Sequence, residues 1–268
     1  MTLLAGKNAL IFGVANDHSI AWGIAKAFHE AGANVAFSYA GEALERRVRP
    51  LAASIGSTFV EQCDVSSDEQ IKQVFAKYGE QYGKLDILVH GIAYAKREDL
   101  TGNFVNTSRD GWNIALEISA YSLIALTQAA MPYFNPDANV LTLSYYGAEK
   151  VVQNYNVMGV AKAALEATVR YLAADIGQQG YRVNAISAGP VRTLSAAGIG
   201  DFRKLYRAFA NVAPMHRNIT IEDVGNTATW LCSNMASVVT GEVIYVDAGF
   251  HAMSAVDGSS IESNKDNA

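Results

Sequence analysis

Cysteine and proline are scarce in this sequence, whose 268 residues include two cysteines and five prolines. Two thiols, Cys63 and Cys232, are too few for a disulfide framework. No histidine stands beside either of them, so the pair does not form a metal-binding motif. We therefore expect both cysteines to be small buried residues, and we expect no metal site.

Basic residues are in the minority. Lysine and arginine total 21, against 26 aspartates and glutamates, which gives a formal net charge of −5. A general nucleic-acid-binding protein normally carries a basic excess. We therefore expect no nucleic-acid partner.

Long apolar runs are also missing. The longest, Asp86–Ala95 and Leu123–Met131, fall short of the roughly 18–20 residues that a helical membrane span requires. The N-terminal apolar run begins after Lys7, ends by Asp17 and lacks a clear small-x-small cleavage site, unlike a secretory signal. We therefore expect a soluble cytoplasmic protein without membrane insertion.

Short apolar segments alternate with longer ones that have helical spacing. The short segments are Asn8–Phe12, Asn34–Ser38, Thr58–Gln62, Leu85–Val89, Asn139–Leu143, Arg182–Ile186 and Glu242–Val246. The helical segments are Ile20–Ala31, Glu42–Ile55, Ser67–Tyr82, Arg109–Met131, Asn156–Gly177 and Ile221–Met235. This pattern predicts an α/β fold: one doubly wound domain with a seven-stranded parallel sheet and helices on both faces. We expect the domain to cover residues 1–256 and the polar tail, 257–268, to be disordered.

Polar residues predict where two of the helices begin. Ser66 or Ser67 can accept a hydrogen bond from a backbone N–H of the helix that follows. Thr220 has the same place before Ile221. Acidic residues follow both caps, as the helix dipole favours.

A glycine-containing turn follows the first predicted strand. It reads Gly13-Val-Ala-Asn-Asp-His-Ser19-Ile20-Ala-Trp-Gly23, which is not the G-x-G-x-x-G fingerprint. Gly13 permits a sharp turn and a close approach of backbone to ligand. We expect free N–H groups at Ser19 and Ile20 to face an anion such as pyrophosphate, and Gly23 to let the helix pack closely on the strand.

Two further loops follow predicted strands at the edge where open α/β sheets bind ligands. The Asp64 carboxylate, next to Val65, is placed to accept a hydrogen bond from an adenine amino group. Gly91 and Ile92 are part of a loop small enough to admit a ribose or nicotinamide. The second strand ends near Ala40 without an acidic residue for ribose hydroxyls or a basic one for a 2′-phosphate, and we expect NADH rather than NADPH.

A tyrosine and a lysine follow the fifth predicted strand. Tyr155 and Lys162 are seven residues apart, so on one helix their side chains would point about 20° apart. An unperturbed phenol has a pKa of about 10, and a nearby ammonium would stabilise its ionised form. Tyr145, at the end of the fifth strand, would meet the start of this helix across a cleft. The pair is therefore a candidate catalytic unit.

These residues resemble the short-chain dehydrogenase/reductase superfamily in its enoyl-acyl-carrier-protein reductase branch. Typical members of the superfamily carry Tyr-x3-Lys and an upstream serine, whereas this chain has Tyr-x6-Lys with Tyr145 near the serine position. The resemblance runs from Leu4 to about Phe250. It includes Gly13-x5-Ser19-Ile20-Ala21-x-Gly23, Gln62-Cys63-Asp64-Val65, Asn154-Tyr-Asn-Val-Met-Gly159, Arg182-Val-Asn-Ala-Ile-Ser-Ala-Gly-Pro190 and Arg192-Thr193-Leu194. It implies a Rossmann-like fold.

The resemblance also implies an activity: reduction by NADH of a trans-2-enoyl thioester on acyl carrier protein, the last reductive step of fatty acid elongation. Hydride would reach the β carbon and give an enolate, which then takes a proton at the α carbon. Tyr155 would hydrogen-bond or protonate the thioester oxygen, and Lys162 would hold the nicotinamide ribose and lower the phenol's pKa. Tyr145 would shape the thioester pocket. The remaining implied contacts are cofactor residues Val191, Arg192, Thr193, Leu194 and Ser195, and substrate residues Ala95, Met158 and Phe202.

The segment from 193 to about 211 resembles a mobile cover over the acyl chain. Its small residues, such as Gly198, suit a hinge, and Phe202 would contribute to an apolar lid. Acyl carrier protein is acidic, so we expect it to dock on the local cations Arg192, Arg203, Lys204 and Arg207. Family members are usually homotetramers, and the two long predicted helices would pack between subunits.

Two alternatives remain. A reductase of 3-oxoacyl thioesters or another carbonyl would require Tyr-x3-Lys, but Gly159 stands four residues after Tyr155. A non-catalytic NAD-binding sensor of the same fold would be expected to have lost the Tyr155–Lys162 pair, which is present.

Overall fold

Seven parallel strands form a single sheet in the computed structural model, which describes residues 2–194, 196 and 202–254. The strands are β1 (Asn8–Phe12), β2 (Asn34–Tyr39), β3 (Val60–Gln62), β4 (Leu85–His90), β5 (Phe134–Ser144), β6 (Arg182–Ala188) and β7 (Val243–Val246). Their order across the sheet is β3-β2-β1-β4-β5-β6-β7. The direction of strand addition therefore reverses between β1 and β4, which is where sheets of this type bind ligands.

Within the described ranges, eight α-helices connect the strands. They are α1 (Ile20–Glu30), α2 (Glu42–Ser54), α3 (Asp68–Tyr82), α4 (Arg109–Leu116), α5 (Ser122–Ala130), α6 (Asn156–Ile176), α7 (Phe202–Val212) and α8 (Ile221–Leu231). Apolar residues of α1, α2 and α8 form one core cluster, and those of α3, α5 and α6 form another. Helices therefore cover both faces, and the predicted doubly wound fold is confirmed.

The central strands are apolar throughout because they are covered on both sides. Every residue of β4 and of β6 is buried. Strand pairing aligns Phe12 with His90, His90 with Thr142, and Ser144 with Ser187. The C-terminal ends of β1, β4, β5 and β6 consequently meet at one edge of the sheet.

The predicted helix starts are present. The Ser67 side chain accepts a hydrogen bond from the Gln70 N–H at the start of α3. At α8 the Thr220 hydroxyl accepts from the Asp223 N–H, and the Asp223 carboxylate accepts from the Thr220 N–H. Both are the capping interactions that Ser and Thr side chains make most readily.

Gly23 has a different neighbour from the one predicted. A Cβ added there would overlap the backbone of Ile221, and one added to Gly225 would lie 2.5 Å from the Gly23 carbonyl oxygen. The two glycines thus let α1 and α8 cross in close contact. The three atoms nearest to the added Cβ of Gly23 all belong to Ile221 of α8, so Gly23 serves this helix–helix contact and not the predicted packing of helix on strand.

The predicted helix Arg109–Met131 is interrupted by a π-helical turn at Glu117–Tyr121. Within it, the Ser119 hydroxyl donates to the Tyr94 carbonyl and accepts from the Tyr94 N–H, both at 3.0 Å. The Ser122 hydroxyl donates to the Ile118 carbonyl. The Ser122 bond reaches the carbonyl four residues earlier and therefore competes with regular helical bonding, whereas the Ser119 bonds join this turn to the segment after β4.

By length and composition, the helical stretch Arg109–Tyr133 would suffice to cross a membrane. It has 25 residues and a mean hydropathy of 1.4, and half of its most apolar window is buried within the fold. The expectation from uninterrupted apolar runs missed this stretch, because polar residues punctuate it. Leu123 and Leu126 of α5 are fully buried in the core, which is also how a core helix of a folded domain behaves.

Candidate active site

A cavity of about 430 Å³ lies at the sheet edge where β1, β4, β5 and β6 end. Its lining includes most of the predicted site residues, brought together from separate parts of the chain. They are Gly13, Ser19, Ile20, Gly91, Ile92, Ala95, Tyr145, Tyr155, Met158, Lys162, Val191, Thr193, Leu194 and Phe202.

Four predicted cofactor residues do not line this cavity. Ala40 is exposed beyond the end of β2, and Val65 is buried. Asp64 is exposed, and its Oδ1 accepts hydrogen bonds from the backbone N–H and the hydroxyl of Ser66. The Arg192 guanidinium lies over the Tyr206 ring, 4.6 Å from its centroid. Ser195 lies outside the described residues.

Gly13 and Gly91 allow two loops to lie in close contact at the C-terminal ends of β1 and β4. Gly13 has a φ of +100°, and a Cβ on it would overlap the Gly91 carbonyl oxygen. A Cβ on Gly91 would lie 2.8 Å from the Phe12 carbonyl oxygen. Gly13 therefore makes the predicted sharp turn, and the close contact that it permits is with Gly91. The close approach of this backbone to a ligand stays a prediction.

Ser19 closes the turn after β1 instead of presenting a free N–H. Its hydroxyl oxygen accepts from the N–H groups of Ala15 and Asn16, both at 3.0 Å, and its own N–H donates to the Asn16 carbonyl. The predicted free N–H at Ser19 was therefore wrong, because the turn itself provides an acceptor. Within the described part of the chain the Ile20 N–H has no acceptor, so it remains available to a ligand.

Tyr155 does not lie inside α6, as its spacing from Lys162 suggested, but immediately before it. The flanking Asn154 and Asn156 both have left-handed backbone, with φ of 63° and 40°. Asparagine tolerates this region better than most residues, and the turn redirects the chain at Tyr155. Tyr155 and Lys162 nevertheless line the same cavity, and both are more than nine-tenths buried.

Tyr145 packs edge-on against Tyr155, with ring centroids 4.9 Å apart and planes at 72°. Gly147 makes room for both rings, since its added Cβ would lie 2.5 Å from Tyr155 Cδ1 and 3.2 Å from Tyr145 Cδ1. A Cβ on Gly159 would lie 2.8 Å from the Gly147 carbonyl oxygen. Two glycines therefore fix the position of the tyrosine pair.

Lys162 is buried with one clear hydrogen-bond partner. Its Nζ donates to the Leu143 carbonyl oxygen at 2.6 Å. Burial lowers the pKa of Lys162 to about 8, and the Glu166 carboxylate opposes that shift. The ammonium is thus close to its titration range near neutral pH.

The tyrosine pKa values are raised, contrary to the prediction that Lys162 would lower that of Tyr155. Burial raises the pKa of Tyr155 well above its usual value, and the neighbouring Tyr145 and Glu166 raise it further. Burial also raises the pKa of Tyr145 to about 12. Loss of solvent outweighs any effect of Lys162, whose Nζ is bonded to Leu143. Both phenols are therefore hydrogen-bond donors and not phenolates at neutral pH.

Glu166 is a buried carboxyl group that the sequence did not single out. It stands four residues after Lys162 on α6, and its Oε1 accepts from the Ser144 hydroxyl. Burial raises its pKa, and the Ser144 hydrogen bond opposes that rise. The i, i+4 spacing from Lys162 was the only signal available, because the partner Ser144 comes from β5.

His90 ends β4, Tyr94 lies in the loop that follows it, and the two side chains differ in exposure. His90 is fully buried, its ring nitrogens lie 2.7 and 2.8 Å from the hydroxyls of Thr142 and Ser122, and burial lowers its pKa to about 3. It is a neutral packing residue. Tyr94 is half-exposed and lines the cavity.

The helix α7 borders the cavity through Phe202 and Leu205. Farther along it, the Phe209 ring stacks on Phe250 with centroids 4.5 Å apart. Apolar residues of the predicted lid therefore do face the cavity. The candidate hinge residue Gly198 and the side chain of Arg203 lie outside the described residues.

Among the described residues, no group of three or more histidine, cysteine, aspartate or glutamate side chains is arranged to hold a metal ion. Both cysteines are buried, and burial raises the pKa of each thiol to about 12. They are unreactive core residues, as predicted.

Comparisons with known proteins point to one family. A family model described as Enoyl-(Acyl carrier protein) reductase matches residues 13–251. The chain is 56% identical over 254 residues to the enoyl-[acyl-carrier-protein] reductase [NADH] of Aquifex aeolicus, covering 94% of each protein.

Two solved structures have the same fold at high identity. A Bacillus cereus enoyl-acyl carrier protein reductase, determined with NADP⁺ and an indole naphthyridinone, has a TM-score of 0.93 and 52% identity, covering 95% of this chain and all of that one. An Anaplasma phagocytophilum reductase in complex with NAD has a TM-score of 0.91 and 47% identity, covering 95% and 97%.

Proposed function

The chain belongs to the enoyl-[acyl-carrier-protein] reductase family, and we propose that it reduces trans-2-enoyl thioesters with NADH, using Tyr155 and Lys162 as its catalytic pair. The observation that carries this proposal is the convergence of Tyr145, Tyr155 and Lys162 in one cavity, beside the Gly13 turn. The Aquifex aeolicus relative is by its name an NADH-dependent reductase of this substrate class.

A nicotinamide dinucleotide fits the residues that are present. The cavity opens where the strand order reverses. Beside Gly13 and Gly91 its lining consists of small residues such as Ala15 and Ala93, which leave room for the cofactor. The Ile20 N–H is available for a phosphate oxygen, and Lys162 has two N–H groups beyond the one bonded to Leu143 for a ribose hydroxyl. Residues Ala40, Asp64, Val65, Arg192 and Ser195 would contact parts of the cofactor beyond this cavity.

NADH, when bound, supplies the hydride that reaches the β carbon of the enoyl thioester. The Tyr155 phenol donates a hydrogen bond to the thioester oxygen, where negative charge develops as the enolate forms. Its raised pKa keeps the phenol protonated for this purpose. Lys162 places a positive charge in the same cavity. The enolate then takes up one proton from solvent at its α carbon, which gives the saturated thioester.

Tyr145 and the apolar lining position the substrate. The edge-on contact between Tyr145 and Tyr155 restricts both rings. Met158, Phe202 and the backbone at Ala95 provide an apolar channel for the acyl chain.

Steric contact at Gly159 disfavours the 3-oxoacyl alternative. That reaction would use a lysine four residues after Tyr155, but a Cβ at Gly159 would already lie 2.8 Å from the Gly147 carbonyl oxygen. A longer side chain would have to displace the turn that supports Tyr155. A non-catalytic sensor is disfavoured because the tyrosine–lysine pair is intact within the cavity.

A substrate comparison tests the proposed function. Purified protein is mixed with NADH or NADPH and with a crotonyl or 3-oxoacyl thioester, and the loss of nicotinamide absorbance is followed. We expect turnover of the enoyl thioester, faster with NADH than with NADPH. Turnover of the 3-oxoacyl thioester alone would contradict the proposal, as would no turnover of enoyl thioesters of any chain length.

The proposal extends to partners and assembly. Lys204 and Arg207, both exposed on α7, provide with Arg192 a basic patch for an acidic acyl carrier protein. Arg203 was predicted to contribute as well, and its side chain lies outside the described residues. Three aromatic side chains of the helices between β4 and β6 are exposed: Trp112 of α4 by 37%, Tyr121 of the π-helical turn by 52% and Tyr171 of α6 by 80%. Such exposed apolar surface suits packing between the subunits of a homotetramer. Sedimentation velocity tests that assembly, and a monomer at micromolar concentration would contradict it.

The proposal also covers location and domain organisation. We propose a cytoplasmic location without membrane or nucleic-acid partners, and a single catalytic domain over 1–256.

A further inference from the structure

The described lining of the cavity contains two charged residues, and both are cations. Lys162 is buried at the tyrosine pair, whereas Arg97 is exposed. No carboxylate belongs to this lining. The role of Lys162 is already accounted for, but nothing in the chemistry at Tyr155 uses Arg97.

Residues next to Arg97 are engaged in protein contacts, and Arg97 is not. Lys96 pairs with Asp110. The buried Asp99 carboxylate accepts from the Ser108 N–H at 2.8 Å and from its hydroxyl at 3.2 Å. Among the described residues the Arg97 guanidinium has no ion pair within 4.0 Å and no hydrogen bond, although Glu98 follows it directly.

The segment that carries Arg97 lies between buried residues near Tyr155 and the solvent-exposed edge of the cavity, which we call the rim. Ala95 and Leu100 line the cavity and pack against the cluster that contains Tyr155 and Met158. Arg97, between them, is exposed. The segment is also tied down at both sides of Arg97 by the contacts of Lys96 and Asp99. Arg97 is therefore a cation without a protein partner among the described residues, held next to the apolar lining residues Ala95 and Leu100.

The substrate class proposed above supplies an anion beyond its thioester. The pantetheine arm of acyl carrier protein, like that of coenzyme A, has a phosphate ester at the end remote from the sulfur. A guanidinium recognises phosphate oxygens through paired, charge-assisted hydrogen bonds. With the thioester at Tyr155 and the acyl chain within the cavity, the arm must leave through the rim.

We propose that Arg97 binds the phosphate of the pantetheine arm and makes the enzyme selective for carrier-borne thioesters over thioesters that lack this phosphate. The inference rests on the proposed function and adds a recognition residue to the same site. Arg97 acts in binding and not in the chemical step. Its contribution should therefore appear in kcat/KM and KM for the thioester, with kcat unchanged.

The test uses three crotonyl thioesters: of acyl carrier protein, of coenzyme A, and of N-acetylcysteamine, which has no phosphate. For Arg97→Ala we expect kcat/KM to fall about tenfold with the first two, as loss of one exposed charge-assisted phosphate contact implies, and to stay at the wild-type value with the third. Arg97→Lys should recover part of the loss. Arg109→Ala is the matched control, because it removes the same charge from an exposed position outside the cavity lining.

Several results would overturn the inference. An equal loss with all three thioesters would make Arg97 a structural residue, and a raised Kd for NADH would assign it to the phosphates of the cofactor. A loss confined to coenzyme A would assign it to the phosphates of the adenosine portion. Failure of the proposed function is distinguishable, because the wild-type protein would then reduce none of the three thioesters.

Discussion

Gly147 provides the sharpest structural test of how the tyrosine pair is positioned. Replacing it with alanine adds a methyl carbon 2.5 Å from Tyr155 Cδ1, 2.8 Å from Tyr155 Cε1 and 3.2 Å from Tyr145 Cδ1. Ordinary contacts of this kind begin at 3.4 Å. The backbone of Gly147 is not in the left-handed region, so the substitution acts through this overlap alone. The Tyr155 ring must therefore move by about 1 Å.

A displacement of about 1 Å at a catalytic group can lower the rate about 100-fold. Overpacking of this kind also destabilises a fold by about 1–3 kcal/mol, which a domain of this size should tolerate at moderate temperature. For Gly147→Ala we therefore expect kcat to fall about 100-fold. The Kd for NADH should be unchanged, since Gly147 does not belong to the cofactor turn.

The assay is steady-state consumption of NADH with a crotonyl thioester, with cofactor affinity measured separately by fluorescence titration. Gly177→Ala is the control, because nothing lies within 4 Å of a Cβ added there. Circular dichroism and thermal melting establish that both variants are folded. If Gly147→Ala kept most of the wild-type kcat, the tyrosine ring would not be held as described, and the reasoning would be refuted.

Three further predictions follow from the site. Because the pKa of Lys162 is about 8, kcat/KM should fall as the pH rises through about 8 and the ammonium is lost, and a flat profile up to pH 10 would contradict a role for this cation. The pKa of Lys162 lies below its ordinary value of 10.5, so the buried charge lowers the stability of the folded protein at pH 7. Lys162→Met should therefore resist urea better than the wild type at pH 7, by at most about 3 kcal/mol. This advantage should shrink between pH 8 and 10.5, where the folded wild type no longer carries the charge. Gly13→Ala should be less stable and should bind NADH more weakly in a fluorescence titration, because the φ of +100° and the nearby Gly91 carbonyl leave no room for a methyl group. An unaltered Kd would show that the Gly13 turn does not contribute to cofactor binding.

Features set by continuous apolar segments and local caps could be predicted from the sequence. Strand β1 and the first residue of α1 occur where the pattern placed them, since burial on both faces makes a strand apolar throughout. Thr220 caps α8 with Asp223, because a capping box needs only residues three apart. The gathering of Tyr145, Tyr155 and Lys162 was also foreseen, as parallel strands end at one edge.

Features that depend on distant partners could not be predicted. The π-helical turn before α5 rests on Ser119 bonding to Tyr94, which is 25 residues away. The position of Tyr155 ahead of α6 depends on left-handed backbone at its neighbours, which helical spacing does not reveal. The raised pKa of Tyr155 follows from burial produced by the whole fold, and so does the lowered pKa of Lys162. Arg97 reaches the cavity through a loop that has no motif.

The central claim is that the Tyr155 hydroxyl stabilises negative charge on the thioester oxygen during reduction. Tyr155→Phe removes this hydroxyl and retains the ring that packs against Tyr145. Measured with NADH and a crotonyl thioester, its kcat should fall about 100- to 1,000-fold, as loss of one oxyanion donor does, while the Kd for NADH stays at the wild-type value. A kcat equal to that of the wild type would contradict the account.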